Sequence, residues 1–178
     1  VIALHLQHKV PILIAGDLFD DGWRASRCPP QLINWAITQL AKTCDLGGCV
    51  YAIPGQHDLP LHRIGDISKS AFWTLQEAGL LTYLSPNNPV ELSDWGAIRL
   101  HGFHWNVPVK PFNVPTNAMI MDIAVVHDYV WAKGTGYPGA PKEKRLANRK
   151  GQFKGYDVAV VGDNHLPFTL KSDGCTVF

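Results

Sequence analysis

The chain has 178 residues, of which 17% are charged and 46% are apolar, and its formal net charge is +1. This composition is typical of a globular protein with its own core, and it excludes a disordered chain. The small net charge excludes a polycation, so any surface that binds an anion must be local. Because no apolar stretch approaches the roughly 20 residues of a membrane-spanning helix, we predict no membrane partner.

The first half of the chain alternates apolar runs with helical patterns. VPILIAGD at 10–17 is apolar until it stops at Gly-Asp, which predicts a buried strand. PPQLINWAITQLAKTC at 29–44 has Pro at its start and apolar residues at helical spacing, which predicts a helix. GGCVYAIPG at 47–55 predicts a second buried strand. SKSAFWTLQEAGLL at 68–81 predicts a helix with Ser68 as its N-cap and Gly79 as its stop.

The second half is richer in strands. Strands are predicted at 96–105, 121–131 and 155–165, with short ones at 167–171 and 174–178. The segment 132–155 is irregular, and a loop of this length in a compact domain is usually functional or disordered. Strands that alternate with helices predict an α/β layered domain, to which the late strands add a more antiparallel part. We predict one domain over residues 1–178.

Four predicted strands end in polar side chains that can bind a metal ion. Open α/β sheets place their ligand sites at the carboxyl ends of the strands, so these side chains are expected to converge if the strands are neighbours. The four endings are Asp17, then Gln56-His57-Asp58, then His127, and finally Asp163-Asn164-His165.

The chemistry of these side chains indicates phosphoester hydrolysis. Carboxylate, imidazole and amide oxygen are ligands for Mn, Fe, Zn or Mg rather than for soft copper. A shared carboxylate can bridge two such ions about 3.5–4 Å apart, and the pair can clamp a phosphate and generate hydroxide at neutral pH. A nearby imidazole can protonate the leaving oxygen.

The motifs also resemble those of a known family. GDLFD at 16–20, GQHD at 55–58, VVHD at 125–128 and GDNH at 162–165 resemble, in order, the later motifs of calcineurin-like metallophosphoesterases. That family's pattern is D-x-H, GD-x-x-D, GNH[DE], a lone His after a strand, and GH-x-H. The resemblance implies a layered α-β-β-α sandwich around mixed β-sheets, and it extends from about residue 10 to residue 170.

The wording AGDLFD is most similar to SbcD-type DNA repair nucleases and their phage relatives. The similarity implies a nuclease that acts on DNA with two divalent ions, Mn first and Mg, Fe or Zn as alternatives. It also implies a partner resembling the SbcC ATPase and a location in the cytoplasm of a bacterium or of a phage-infected host.

Carried over position by position, the resemblance implies a role for each motif residue. Asp17 would bridge both metals, His165 would bind the first metal, and the second metal would be bound by Gln56, His127 and Asp163.

The GQHD motif would supply the catalytic residues. His57 would be the general acid or would stabilise the transition state, and Asp58 would orient it. Asp20, in the GD-x-x-D position, is expected to support a ligand rather than to bind metal directly.

Three departures from the family pattern have consequences. Gln56 replaces Asn and adds a methylene, while Asp163 replaces His and should favour harder ions such as Mn or Mg. No D-x-H motif precedes Asp17, so the first metal has only Asp17 and His165. We expect the missing strand to lie upstream of Val1, since the chain opens inside a helical pattern. We expect the 178 residues alone to be poorly stable or inactive.

Several alternatives remain open. The substrate could instead be a phosphomonoester or a phosphoprotein, or the chain could bind phosphate or nucleic acid without catalysis because its metal site is incomplete. His101 and His104 are expected to pack within a strand. A cluster of basic residues either forms a solvated surface or binds a nucleic-acid backbone. That cluster comprises Lys142, Lys144, Arg145, Arg149 and Lys150.

Overall fold

The computed structural model describes residues 10–20, 28–45, 49–94, 96–112 and 119–178. The chain divides into two compact units, Val1–Tyr83 and Leu84–Phe178. The described residues form a mixed α/β structure with two sheets, which agrees with the predicted α/β class. The predicted opening helical pattern lies outside the described residues, and the prediction of one domain stays a prediction.

The first unit contains a parallel sheet in the order β1-β2-β3. Its strands are β1 (Ile12–Ala15), β2 (Val50–Ile53) and β3 (Thr82–Tyr83), and its helices are α1 (Pro30–Asp45) and α2 (Ala71–Glu77). Two 3-10 turns, Pro60–His62 and Ile64–Lys69, lie between β2 and α2. The prediction of β1, β2 and α1 is confirmed, whereas the two-residue strand β3 was not predicted.

The apolar spacing of α1 positions it in the first core. Its buried residues Ala36 and Leu40 join Ile12 of β1, Val50 of β2 and Phe72 of α2 in one cluster. This packing fixes the two strands whose ends carry the first two motifs.

Helix α2 begins two residues later than predicted. Ser70 is the N-cap, and its hydroxyl accepts a hydrogen bond from the N–H of Trp73 at 3.1 Å, whereas Ser68 lies in the preceding 3-10 turn. The predicted stop at Gly79 is confirmed, since this residue has a φ of +69°. The N–H of Gly79 donates to the carbonyl oxygen of Gln76, and the N–H of Leu80 donates to that of Leu75. These two bonds form the Schellman pattern.

The second unit contains a mixed sheet in the order β4-β5-β6-β7-β9-β8. Strands β5, β6, β7 and β9 are parallel neighbours, while β4 and β8 pair antiparallel at the two edges. The strands are β4 (Val90–Leu92), β5 (Ile98–Phe103), β6 (Met121–His127), β7 (Val158–Gly162), β8 (Leu170–Ser172) and β9 (Cys175–Val177). All except β4 were predicted.

Strand β6 is the centre of the second core. Ala124, Val125 and Val126 are fully buried, which explains why this strand is a continuous apolar run and not an alternating one. The segment 132–155 is mostly irregular, as predicted, with two short 3-10 turns at Lys142–Lys144 and Leu146–Asn148. None of the helices in the described residues combines the length and apolar character that crossing a membrane requires.

Candidate functional site

The first two motifs leave the same edge of the first unit's sheet. Strands β1 and β2 are parallel, and Ala15 pairs with Ile53 at their carboxyl ends. The turns that follow carry Asp17 from β1 and Gln56-His57-Asp58 from β2. The predicted convergence of these two strand endings is therefore found within this unit.

Backbone contacts join the two turns closely. Asp17 adopts a φ of +54°, and its Oδ1 accepts a hydrogen bond from the N–H of His57 at 2.9 Å. Gly55 passes directly beside it, since a Cβ built on Gly55 would lie 2.1 Å from Asp17 Oδ1. Only glycine fits at residue 55 while Asp17 keeps this position.

Asp58 connects the same two turns from inside the unit. Its side chain is fully buried and accepts hydrogen bonds from the N–H groups of Phe19 at 2.7 Å, Gly55 at 2.9 Å and Leu18 at 3.2 Å. Burial raises the pKa of the Asp58 carboxyl to about 6, although the three N–H donors act in the opposite direction. Asp58 therefore holds the backbone around the site.

The partner of the His57 ring is Asp20 and not Asp58, which differs from the prediction. His57 Nδ1 lies 3.0 Å from Asp20 Oδ1, and the two side chains are 34% and 81% exposed. An ionised carboxylate can only accept, so Nδ1–H donates and Nε2 is the ring atom directed away from this pair. His62 is half-buried, with its ring centre 6.0 Å from that of His57.

The last two motifs leave one edge of the second unit's sheet. Strands β6 and β7 are parallel, and His127, the last residue of β6, pairs with Gly162. Asp163 follows at once and has a φ of +75°. His127 is 1% exposed, so its imidazole is held in the interior next to the strand ends. His165 lies two residues further on and is exposed.

The side chain of Asn164 links the two turns of this unit by hydrogen bonds, which was not predicted from the sequence. Its Nδ2 donates to the carbonyl oxygen of Val130 at 2.9 Å and to that of Thr135 at 3.4 Å. Its Oδ1 accepts from the N–H of Leu166 at 3.0 Å. The loop after His127 is thereby fixed to the turn that carries Asp163 and His165. The position of an asparagine between two candidate ligands could have indicated such a contact. The two carbonyl groups that it binds lie about 30 residues away in the chain, so the sequence does not identify them.

Part of the predicted basic cluster is engaged in internal contacts. Asp128 Oδ1 accepts from Lys144 Nζ at 2.7 Å, and Asp128 Oδ2 accepts from Arg149 Nη2 at 2.6 Å. The Arg145 guanidinium lies 5.4 Å from the centre of the Trp131 ring. The remaining two basic residues of the cluster, Lys142 and Lys150, are exposed. The cluster is therefore neither a uniformly solvated surface nor a row of free cations.

His101 and His104 are buried in the second unit, as expected for packing residues. Asp122 accepts hydrogen bonds from Arg99 Nε and His101 Nε2, both at 2.7 Å. Burial lowers the pKa of His101 and that of His104. Burial alone would raise the pKa of Asp122, but the bonds from Arg99 and His101 outweigh it and lower that pKa.

This buried group gives a pH-dependent prediction. Because the folded pKa of His101 is lowered from 6.5, the unfolded chain binds its proton first as the pH falls below that value. The fold should therefore lose stability on acidification. We expect the difference in unfolding free energy between wild type and His101→Gln to shrink between about pH 7.5 and pH 5, as measured by urea denaturation. A difference that is constant across this range would contradict the assignment.

The donors in each unit fit a hard or borderline divalent cation. The first unit offers the Asp17 carboxylate and the Gln56 amide oxygen, and the second offers His127, Asp163 and His165. These oxygen and imidazole donors suit Mn²⁺, Fe²⁺, Zn²⁺ or Mg²⁺.

Comparisons of the chain with protein-family models and with curated proteins found no match.

Proposed function

We propose that this chain is a metal-dependent phosphoesterase that hydrolyses phosphodiester bonds, with DNA as its favoured substrate. One observation carries the proposal. All four motifs follow directly on parallel strands, two on adjacent strands of the first unit and two on adjacent strands of the second. This is the arrangement expected of a ligand site in α/β proteins. We also propose that the chain has the layered α-β-β-α sandwich fold of metallophosphoesterases.

The motif resemblance supplies the assignment of the metal ligands. By that resemblance, Asp17, Gln56, His127 and Asp163 would bind one divalent ion. Asp17 and His165 would bind a second. A divalent ion bound there would neutralise phosphate charge and lower the pKa of water toward neutrality. Manganese is the first choice, because the ligands include two carboxylates, whereas zinc sites are built mainly from Cys and His.

The protein's own contribution to catalysis centres on His57. Asp20 accepts from Nδ1–H, which holds the ring orientation and leaves Nε2 directed away from this pair. Nε2 can then hold the proton that the leaving oxygen needs when the phosphodiester bond breaks. Asp58 keeps the backbone of this turn in place through its three N–H bonds.

The test is a comparison of two small substrates with the intact protein. We expect Mn²⁺-dependent hydrolysis of bis-p-nitrophenyl phosphate to exceed that of p-nitrophenyl phosphate, because a diester leaves the metal ions only one charge to neutralise. EDTA should abolish both activities, and added Mn²⁺ should restore them. Turnover of the monoester alone would contradict the proposal and indicate a phosphatase.

A second candidate is a nucleic-acid-binding protein without catalysis. It is favoured by the small ligand set of the first metal, for which the described residues offer Asp17 and the exposed His165. Metal analysis of the intact protein separates the two candidates. About two equivalents of Mn²⁺ per chain support the enzyme, whereas one or none, with DNA binding retained, supports the binding protein.

A further inference from the structure

A cleft in the second unit lies beside the strand ends that carry His127 and Asp163. Its volume is about 250 Å³, and its lining includes Trp105, Asn106, Asp128, Lys144, Arg149 and Gln152. Phe103 pairs with Val126, so the chain after β5 leaves the sheet at the same edge as the chain after β6. Asp128 directly follows His127, and the cleft therefore begins one residue from a candidate metal ligand.

The charges in the cleft favour an anion. Lys144 and Arg149 share the single carboxylate of Asp128, which leaves a net charge of +1. This arrangement holds both cations in fixed positions, and the Arg149 side chain is only 13% exposed. Arg149 Nη1 has no hydrogen-bond partner among the residues that the structure describes. The pair with Asp128 thus leaves part of its donor capacity unused.

The remaining lining residues suit a nucleobase. Trp105 is half-buried in the lining, and an indole offers a face on which any base can stack. Asn106 and Gln152 carry amides that both donate and accept hydrogen bonds, as base edges require. The cleft is smaller than the roughly 300–1,000 Å³ of pockets that enclose a whole ligand. It therefore suits one unit of a polymer.

We infer that this cleft binds the nucleotide next to the scissile phosphate of a single-stranded nucleic acid. The inference rests on the proposed function for the identity of the scissile bond. The base stacks on Trp105, and its phosphate lies against Lys144 and Arg149. The cleft thereby gives a reason why a polynucleotide is preferred to a small phosphoester.

Binding without hydrolysis tests the cleft. Fluorescence anisotropy in EDTA compares a labelled oligothymidine of about ten nucleotides, a length within the site sizes of single-strand binders, with an abasic strand of equal length. Trp105→Ala should weaken oligothymidine binding about tenfold and leave abasic binding unchanged. Trp105→Phe, which keeps a stacking face, and Trp35→Ala, which removes a 63% exposed indole on α1, should bind like wild type.

Two results would overturn the inference: unchanged oligothymidine binding by Trp105→Ala, or an equal loss on the abasic strand. In addition, Lys144→Met should reduce the slope of log affinity against log salt by about 0.7, the value for one phosphate contact on a single strand. Lys171→Met, which removes an exposed lysine on β8, is its control and should keep the wild-type slope. A Lys144→Met slope equal to wild type also counts against the cleft.

The failure of the inference and the failure of the proposed function are distinguishable. Wild-type turnover of bis-p-nitrophenyl phosphate reports on the proposed function and does not need the cleft. If that turnover is present while Trp105→Ala binds oligothymidine normally, the cleft inference alone fails. If turnover is absent while Trp105→Ala weakens binding, the cleft stands as a nucleotide site and the hydrolytic function fails.

Discussion

Replacing Asp17 by asparagine is expected to lower Mn²⁺-dependent hydrolysis of bis-p-nitrophenyl phosphate by about a thousandfold. Asparagine keeps the oxygen that accepts from the N–H of His57, so the turn should survive. It loses the negative charge through which this side chain would hold a divalent ion. Metal ions contribute several kcal/mol of transition-state stabilisation, and about 4 kcal/mol corresponds to three factors of ten in rate.

The control for this variant is Asp66→Asn in the same unit. Asp66 pairs with Lys69 on the 3-10 turn before α2 and belongs to none of the motifs. We expect it to leave turnover and Mn²⁺ content unchanged, whereas Asp17→Asn should lower both. Wild-type turnover by Asp17→Asn, with unchanged metal content, would remove Asp17 from the proposed site.

The strands and the longer helix could be predicted because their signals are local. Strands β2 and β6 are continuous apolar runs that end at polar residues, and α1 has both a proline start and apolar positions at helical spacing. Strand β3 has two residues, and its conformation depends on its pairing with β2 and on the hydrogen bond from the N–H of Tyr83 to Gln76 Oε1. Such a strand leaves no periodic pattern in the sequence.

The start of α2 shows how two equivalent local signals can be confused. Ser68 and Ser70 both precede the apolar run, and either could cap a helix by residue type alone. The choice depends on the 3-10 turn at Ile64–Lys69. Ser68 lies within this turn, whereas Ser70 follows it with the extended backbone of an N-cap residue. That turn follows from packing and not from the composition of the segment.

At the candidate site, sequence order indicated which positions matter but not which side chains meet. Asp20 and Asp58 have the same chemistry, and their roles relative to His57 are decided by contacts between residues about 40 apart in the chain. In the same way, Asp128 pairs with Lys144 and Arg149 across 16 and 21 residues. A motif gives the residue type at a position, whereas the partner depends on how the two turns are docked.

Replacing Gly55 by alanine is expected to damage both the stability of the protein and its activity. The new Cβ would lie 2.1 Å from Asp17 Oδ1, 2.6 Å from Asp17 N and 2.7 Å from Asp17 Cγ, so Asp17 must move. Overpacking of this kind costs about 1–3 kcal/mol. A displacement of about 1 Å at a catalytic group can lower the rate a hundredfold, so Mn²⁺-dependent turnover should fall by about that factor.

Gly65→Ala is the matched control, because a Cβ at Gly65 has no atom within 4 Å in the part of the chain that the structure describes. Its unfolding free energy should stay within about 0.5 kcal/mol of wild type in urea denaturation.

A second comparison separates the two kinds of contact at Gly55. In an Asp17→Ala background the carboxylate atoms are gone but the Asp17 backbone nitrogen remains, so Gly55→Ala should cost less stability than in wild type and still cost some. An equal cost in both backgrounds would mean that the backbone contact alone excludes a side chain at residue 55. No cost in either would contradict the close approach of the two turns on which the position of Asp17 depends.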